Sequence, residues 1–329
     1  MNEQVTSEPV LKVLGGFLAA NYLFAANEMG VFAAIGSDTK TVEEIAALIT
    51  APPRTTRILV DALVATGFLQ KENGRYQNSP VAATFLSGQT PMDLRPIINL
   101  WDKVVSPQWD TLVESLRENR QTFGLNEFNQ QQHQFFAKGV ATLTAPSAQA
   151  LVQQYDFSAH QSVLDIAGGM GVFLTTILQQ YPHLQGTLFE LPVTANMARQ
   201  RISALPIADR THIAEGDILD DPVPTGHDAF ILANAIHIFS PEKNQAILRK
   251  IHAAAPDNAR LLLIDFWTDP AHIQPQFAAL MAGEFQIFSG EGDVYSVQEV
   301  YDWLEACGWQ PIGHNHLAGA ASLISAQKA

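Results

Sequence analysis

Three groups of residues in the second half of the chain could do chemistry on a bound ligand. One is the glycine-rich segment DIAGGMG, residues 165–171, whose glycines allow the backbone to approach a ligand closely. Another is a pair of acids, Glu190 and Asp217, each at the end of a short apolar run. The last is His237, a side chain that can accept a proton from a reacting group. Together they predict a ligand site with acids that can accept hydrogen bonds and a side chain that can accept a proton.

The spacing of the glycines argues against a dinucleotide-binding turn. That fingerprint requires G-x-G-x-x-G directly after a strand. Counted from Gly169, Gly171 fits but Leu174 occupies the third glycine position. Counted from Gly168, Met170 occupies the second position. The turn therefore serves another class of ligand, or only a structural purpose.

The elements around these residues predict an α/β domain with a doubly wound sheet. Beyond Ser162 helical stretches alternate with short apolar runs, at residues 163–167, 187–191, 212–214, 229–233 and 261–266. Strands separated by helices form a mostly parallel sheet, which binds ligands at the carboxyl ends of its strands. Two later segments, 310–314 and 322–326, predict a hairpin at the edge of this sheet.

The first third of the chain has the pattern of a winged helix. An apolar stripe from Leu11 to Phe24 predicts a helix that is buried, under its own domain or against a second subunit. Thr41 and Glu44 predict a capping box, and Pro52-Pro53 predicts the start of the next helix. Asn73-Gly74 predicts a tight turn between two short strands.

Charge argues against a nucleic-acid partner, although a winged helix is often a DNA-binding module. The supposed recognition helix carries only Arg54 and Arg57, and the chain has a formal net charge of −14. Binding to a phosphate backbone normally needs a basic face. A non-enzymatic regulator that uses the winged helix is therefore a minor alternative.

The chain has no clear targeting or membrane signal. Its acidic, polar N-terminus lacks the features of a signal peptide, and polar residues interrupt the apolar stretch 13–35, which predicts that it does not span a membrane. The single cysteine, Cys307, cannot form an intramolecular disulfide. No histidines show metal-ligand spacing. These features predict a cytoplasmic protein without a metal site.

The glycine turn resembles the D-x-G-G-x-G motif of S-adenosylmethionine-dependent small-molecule O-methyltransferases. His237 matches the catalytic histidine of that family, and the later segments LLLIDFW and YSVQEVYDWLEACGW match its C-terminal pattern. The resemblance covers essentially the entire chain. It implies a winged-helix-like, all-α dimerisation domain at residues 1–95 and a helical connecting region at 96–155 that contributes to the substrate pocket. Residues 156–329 would form a Rossmann-like class I methyltransferase domain.

The resemblance also implies the cofactor, S-adenosylmethionine, and its product, S-adenosylhomocysteine. The glycine loop would pass the amino-acid half of the cofactor, Glu190 would bind the ribose hydroxyls, and Asp217 and Ile218 would contact the adenine. Asn234 would lie beside the methionine half. The full set of cofactor residues is Asp165, Gly168, Gly169, Gly171, Glu190, Leu191, Asp217, Ile218 and Asn234.

In the same family His237 would be the general base and Asp265 the acid that orients it. The sequence departs from the family pattern in three places. Ala167 replaces a glycine, Ile238-Phe239 replaces the Asp-Trp after the histidine, and Val294 stands near the position of a second acid. Glu291 and Asp293 lie close by in the sequence. The predicted substrate-binding residues are Phe136, Trp267, Met281 and Phe285.

These features predict an enzyme of secondary metabolism that methylates a hydroxyl of a small, aromatic natural product. The N-terminal helices would join two copies into a homodimer. Two alternatives stay open, and the second is favoured by the loss of the Asp-Trp and of the second acid. One is methylation at carbon or nitrogen, and the other is non-methylating chemistry, such as decarboxylation or a pericyclic rearrangement.

Overall fold

The computed structural model describes residues 5–328, which form two compact units. One unit ends at Val104 and the other begins at Val105. The predicted domain limits at residues 1 and 329 lie outside the described residues. The predicted internal boundaries, at residues 95 and 155, stay predictions, because the chain divides once and the division lies between them.

The first unit contains six helices and one hairpin within its described residues. Thr41 and Glu44 form the predicted capping box, since the Thr41 side chain accepts from the Glu44 amide and the Glu44 carboxylate accepts from the Thr41 amide. Asn73 and Gly74 have positive φ angles and form the turn of the hairpin, as predicted. The elements are α1 Glu8–Glu28, α2 Val31–Ile35, α3 Val42–Leu48, α4 Pro53–Ala65, β1 Leu69–Glu72, β2 Arg75–Asn78, α5 Pro80–Phe85 and α6 Arg95–Leu100.

The first helix, α1, is mostly uncovered within the single chain. The apolar stripe predicts burial under its own domain or against a second subunit, and the first alternative is excluded, because Val13 is 75% exposed, Phe17 is 68% exposed and Ala26 is the helix's one buried residue. By length and composition α1 is also apolar enough to cross a membrane, despite the polar residues near its end. The same test is passed by the apolar helices of soluble proteins, so the finding leaves open what covers this helix.

The second unit is built on a seven-stranded sheet with the strand order β5-β4-β3-β6-β7-β9-β8. The first five of these strands are parallel, and β9 and β8 form an antiparallel hairpin at one edge. The predicted strands and edge hairpin are thereby confirmed. The bounds are β3 Ser162–Ile166, β4 Gln185–Glu190, β5 Thr211–Glu215, β6 Ala229–Ala233, β7 Arg260–Asp265, β8 Trp309–Ala318 and β9 Ala321–Lys328.

Helices cover both faces of the sheet, because the strand residues are apolar on both sides. Along β3, Val163 belongs to one core cluster and its neighbour Leu164 belongs to another. The chain order reverses between β3 and β6, and the carboxyl ends of these strands are where a doubly wound sheet binds its ligand. The helices are α7 Leu112–Glu118, α8 Gln130–Gln154, α9 Val172–Gln180, α10 Pro192–Ile202, α11 Pro241–Ala254, α12 Gln276–Ser289 and α13 Val297–Ala306.

Candidate active site

The glycine turn connects β3 to α9 at the reversal point of the sheet. Gly169 and Gly171 have φ angles of +57° and +70°, which residues with a Cβ rarely adopt. Ala167 also has a positive φ, +50°, although it replaces a family glycine. At Gly168 the constraint is space, because a Cβ there would lie 2.4 Å from the carboxylate carbon of Asp165. The turn is therefore held in one tight conformation by its residue types.

Asp165 lies fully buried directly beneath the turn. Its Oδ2 accepts a hydrogen bond of 3.2 Å from the Leu174 amide, whereas Oδ1 has no partner in the described chain. Burial raises the pKa of the Asp165 carboxyl to about 7. An unpartnered buried oxygen under a glycine turn is typical of a site that is completed by a ligand.

Glu190 ends β4 and reaches across to the same turn. Its Oε2 accepts from the Gly169 amide at 2.9 Å, and its Oε1 accepts from the Leu191 amide at 2.8 Å. Burial raises the pKa of this carboxyl, and the neighbouring Asp217 charge raises it further. Each oxygen keeps a free lone pair, so the side chain can still accept two hydroxyl groups. The predicted neighbours Gly169, Glu190 and Leu191 are thus brought together.

The loop after β5 carries Asp217, whose Oδ1 accepts from the Leu219 amide at 2.8 Å. Sequence reasoning missed the side chain that anchors this loop. Lys250 on α11 donates through Nζ to the carbonyls of Ile218 and Leu219, at 2.7 and 3.0 Å. No local pattern marks this lysine, because its partners lie 32 and 31 residues away. Asn234, after β6, has a φ of +52°, which turns the chain at the carboxyl end of the strand.

His237 lies in a short helical turn, Ile236–Ile238, that follows β6. Its Nδ1 is 2.7 Å from Oδ1 of Asp265, the last residue of β7. Because an ionised carboxylate can only accept, Nδ1 carries the proton and Nε2 of the neutral ring has a free lone pair. Asp265 is held in turn by the Phe266 amide, which donates to the same oxygen at 2.9 Å. The pair can therefore present an oriented proton acceptor.

The surroundings of His237 are apolar. The imidazole stacks on Phe285 with ring centroids 3.8 Å apart, and Phe266 lies 5.2 Å away. Sequence reasoning missed Phe266 and named its neighbour Trp267 instead. Because side chains alternate along the chain after β7, Trp267 packs into a different core cluster from Phe285. Phe266 shares a cluster with Phe285, whereas Trp267 does not. The role of Trp267 in the pocket stays a prediction.

The loop acids do not supply a second carboxylate to His237. Glu291 pairs with Lys243 at 2.6 Å, and Asp293 accepts from the Val294 amide at 2.7 Å. Val294 itself is buried in the apolar cluster of Phe285. Within the described residues, Asp265 is the one carboxylate bonded to His237.

The other predicted pocket residues lie on two helices. Met281 packs in the same cluster as Phe285, one turn away on α12. Phe136 on α8 stacks on Phe288 with ring centroids 6.0 Å apart, and Phe128 packs edge-on against both rings. The structure therefore joins three of the four predicted residues, Phe136, Met281 and Phe285, through one face of α12.

The doubly wound sheet, the glycine turn and the acids at the strand ends define a class I methyltransferase. Residues 109–310 match the family model of the O-methyltransferase domain, and residues 11–88 match that of the O-methyltransferase dimerisation domain. The chain belongs to the O-methyltransferase family. Its activity is that of an S-adenosylmethionine-dependent methyltransferase, and the orphaned Asp165 oxygen and the Glu190 acceptors fit that cofactor.

Similar proteins support this assignment over nearly the whole chain. A 3-hydroxy-5-methyl-1-naphthoate 3-O-methyltransferase of Streptomyces sahachiroi is 29% identical, over 95% of this chain and 93% of its own. An L-tyrosine C(3)-methyltransferase of Streptomyces lavendulae is also 29% identical, over 91% and 86%. The solved structure of PigF with S-adenosylhomocysteine is 26% identical, with a TM-score of 0.88 over 98% of this chain and 100% of its own. PigF of Serratia is an S-adenosyl-L-methionine-dependent methyl transferase by name.

Proposed function

We propose that this enzyme methylates a phenolic hydroxyl of a small aromatic acceptor, with His237 as general base and Asp265 as its positioning residue. The observation that carries the proposal is the 2.7 Å bond between His237 Nδ1 and Asp265, which leaves Nε2 as the proton acceptor. A phenol has a pKa near 10, so only about one in a thousand is ionised at neutral pH. A base within hydrogen-bond reach raises the rate by roughly 10²–10⁴-fold.

The cofactor site supplies the other reactant. S-adenosylmethionine, when bound, provides an activated methyl group on a sulfonium. We infer that Glu190 binds the ribose, Asp217, Ile218 and Leu191 lie along the adenosine, and Asn234 lies beside the methionine half. Asp165 and the glycines Gly168, Gly169 and Gly171 would shape the turn that this half passes. The Glu190 bonds to the Gly169 and Leu191 amides support this assignment, because they fix the carboxylate before ligand binds.

The apolar surroundings of His237 support an aromatic acceptor. Phe266 and Phe285 present ring faces beside the imidazole, and Met281 adds a polarizable thioether one turn away. Excluding water from such a site also keeps the deprotonated oxygen reactive. The naphthoate acceptor in the name of the Streptomyces sahachiroi relative is of this chemical class.

Methylation at an aromatic carbon is the second candidate. It is favoured by the L-tyrosine C(3)-methyltransferase relative, which is as similar in sequence as the O-methyltransferase. The same base would serve both reactions, because removing the phenolic proton also makes the neighbouring ring carbon nucleophilic. Only the placement of the acceptor would then decide which atom receives the methyl group.

The two candidates are separated by following an isotopically labelled methyl group. The protein is incubated with S-adenosylmethionine carrying a ¹³C methyl group and with a panel of phenols and naphthols, and the products are examined by NMR. A methoxy carbon supports O-methylation, and an aryl methyl carbon supports the second candidate. Acceptor that is consumed without gaining label would overturn both and favour non-methylating chemistry.

We also propose that two copies associate through the first unit, where residues 11–88 match the dimerisation family model. The exposed apolar side chains of α1 support this, because they follow one another along a single helix and a contiguous exposed apolar patch usually marks an interface. The helices that precede the β1–β2 hairpin support the winged-helix interpretation of this unit. The proposal makes the protein a cytoplasmic homodimer that spans no membrane and binds no nucleic acid.

Light scattering coupled to size exclusion tests the dimer. The wild-type protein should have twice the mass of the chain, and Phe17→Glu should shift it toward a monomer. The matched control is Ile312→Glu, which places the same charge on an exposed apolar site of the second unit. A wild-type monomer at micromolar concentration, or wild-type protein that floats with lipid vesicles, would contradict the proposal.

A further inference from the structure

Glu284 on α12 is a carboxylate that the methyl-transfer chemistry leaves without a role. Its Oε2 accepts a hydrogen bond of 2.7 Å from the indole nitrogen of Trp109. Trp109 also packs against Gly283, where an added Cβ would lie 3.4 Å from the indole ring. The indole is thus seated on the helix and holds one carboxylate oxygen in a defined position.

Glu284 lies next to the face of α12 that carries the proposed acceptor site. Residues three and four apart share one face of a helix, so Glu284 is neighbour to Met281 on one side and to Phe288 on the other. The next residue, Phe285, stacks on His237 with ring centroids 3.8 Å apart. Phe288 stacks in the same way on Phe136. The carboxylate is therefore the one acid of α12, and its helix neighbours Met281 and Phe288 adjoin the apolar side chains that surround the proposed base.

The carboxylate has an open acceptor atom and no cation. Within residues 5–328 no lysine, arginine or histidine forms an ion pair with Glu284, and Oε1 has no hydrogen-bond partner. Oε1 is not sealed in the core, unlike Asp265 Oδ2. Burial raises the pKa of the Glu284 carboxyl, as expected for an acid among aromatic side chains.

A half-buried carboxylate among aromatic side chains, such as that of Glu284, lowers the stability of the fold, which suggests that it serves a function. A half-buried carboxylate without a cation is poorly solvated, and one indole bond satisfies only one of its oxygens. Other pairings of acids in this unit have evident structural purposes, such as that of Glu291 with Lys243. The carboxylate of Glu284 has a geometry suited to binding a ligand, since Oε2 is fixed by Trp109 and Oε1 is available.

We propose that Glu284 Oε1 binds a second hydrogen-bond donor of the methyl acceptor, an O–H or N–H group apart from the hydroxyl that reacts at His237. The enzyme's substrates are then aromatic compounds with two donors rather than simple phenols. The inference rests on the proposed function, because it takes the face of α12 beside His237 as the acceptor site. It adds a specificity-determining contact that acts by direct bonding to substrate.

Matched naphthols test the proposal through binding. Affinities are measured by calorimetry in the presence of S-adenosylhomocysteine for 2,3-, 2,6- and 2,7-dihydroxynaphthalene, each paired with its monomethyl ether. Wild-type protein should bind at least one diol about 10- to 100-fold more tightly than its ether, the range for a hydrogen bond to a charged group. Equal affinities for all three pairs, or no binding of any naphthol, would overturn the proposal.

The variant Glu284→Gln sharpens the test, because its amide oxygen can still accept from Trp109 while its NH₂ group now faces the acceptor site. The preference for the diol should fall to about onefold or reverse in favour of the ether, and the affinity for S-adenosylhomocysteine should stay unchanged. The matched control is Glu291→Gln, an acid-to-amide change on an ion pair with Lys243. It should keep the wild-type preference. A wild-type preference in Glu284→Gln would also overturn the proposal.

Failure of this inference differs from failure of the proposed function. If the wild-type protein methylates diols and ethers equally well, the acceptor chemistry stands and the role of Glu284 falls. If the diol preference depends on Glu284 while His237→Ala turns over as fast as wild type, the role of Glu284 stands and the general base falls.

Discussion

The proposed cofactor half and the proposed acceptor half of the candidate active site are built in different ways. The cofactor half is made of backbone: a glycine turn, strand ends and acids that bind main-chain amides, such as Glu190 on Gly169. The acceptor half is made of side chains from separate elements, with His237 from the turn after β6, Asp265 from β7 and Phe285 from α12. The first half is suited to one constant ligand, and the second can change its ligand through single substitutions.

The departures from the family pattern follow this division. The cofactor half departs only at Ala167, which still adopts a positive φ of +50°. The acceptor half lacks the Asp-Trp after the histidine and places Val294 in the apolar cluster beside Phe285. A backbone site constrains every residue that shapes it, whereas a side-chain pocket keeps its fold when its lining changes.

The largest expected effect is on the acceptor half alone. His237→Ala should reduce turnover by about 10²–10⁴-fold, because the hydroxyl of the methyl acceptor no longer has a base to take its proton. The affinity for S-adenosylhomocysteine should not change, since no described contact joins His237 to the glycine turn. Steady-state kinetics and calorimetry measure the two effects separately. His212→Ala, at an exposed position on β5, is the control and should leave both unchanged.

Asp265→Asn should have the next largest effect, a loss of at least about 10²-fold in kcat, because an acid that orients a catalytic imidazole can contribute up to about 10⁴-fold. The amide can still accept from Nδ1, but it no longer stabilises the imidazolium that forms as the proton moves. The acceptor KM should stay within about twofold, which separates positioning from binding. A large rise in KM with unchanged kcat would contradict this role.

Glu190→Ala should weaken S-adenosylmethionine binding by about 10- to 100-fold, the range for losing hydrogen bonds to a charged group. Turnover at saturating cofactor should change much less. Glu190→Ala should thus lower cofactor affinity and spare turnover, whereas His237→Ala should lower turnover and spare cofactor affinity. Calorimetric titration with both S-adenosylmethionine and S-adenosylhomocysteine measures it. Glu215→Ala, which removes only a surface pair with Arg199, is the control. Unchanged affinity in Glu190→Ala would remove the ribose assignment.

The smallest effect concerns stability and pH in the cofactor half. The pKa of Asp165 is about 7 in the folded protein and 3.8 in an ordinary carboxyl, so the native state holds its proton more tightly. Its contribution to stability is fully present below pH 3.8 and is lost as the pH rises through 7. In thermal melts without cofactor, the Tm of Asp165→Asn should therefore fall less than that of wild type as the pH is raised from 3.8 through 7. Asp209→Asn, an exposed acid, should keep the wild-type slope.

Much of the fold could be predicted because local signals specified it. The Thr41–Glu44 capping box and the Asn73-Gly74 turn depend on residues a few positions apart, and both are confirmed. The parallel strands were predicted because buried strands read as continuous apolar runs. Of the two ways in which α1 could be buried, cover by its own unit is excluded and cover by a second subunit stays a prediction, since an apolar stripe shows that a surface needs cover and does not say what covers it.

The candidate site divides in the same way. The order of the glycine turn, Glu190, Asp217 and His237 could be read along the chain, because each follows a strand and the sheet gathers its strand ends. Lys250, Phe266 and Glu284 could not be found, since their partners lie far away in sequence or depend on which side of a strand end a side chain faces.

The sequence by itself determined the doubly wound sheet and the tight glycine turn, because glycine conformation and apolar periodicity act locally, and its resemblance to the family pointed to His237 as the proposed base. Tertiary structure alone decided that Glu291 and Asp293 bond elsewhere and do not join Asp265 at His237, and that Phe266 rather than Trp267 lies beside the imidazole. It also left Glu284 of α12 bonded to the Trp109 indole and without an ion pair among residues 5–328. These contacts join distant segments, and their energies depend on burial and direction, which exist only once the chain has folded.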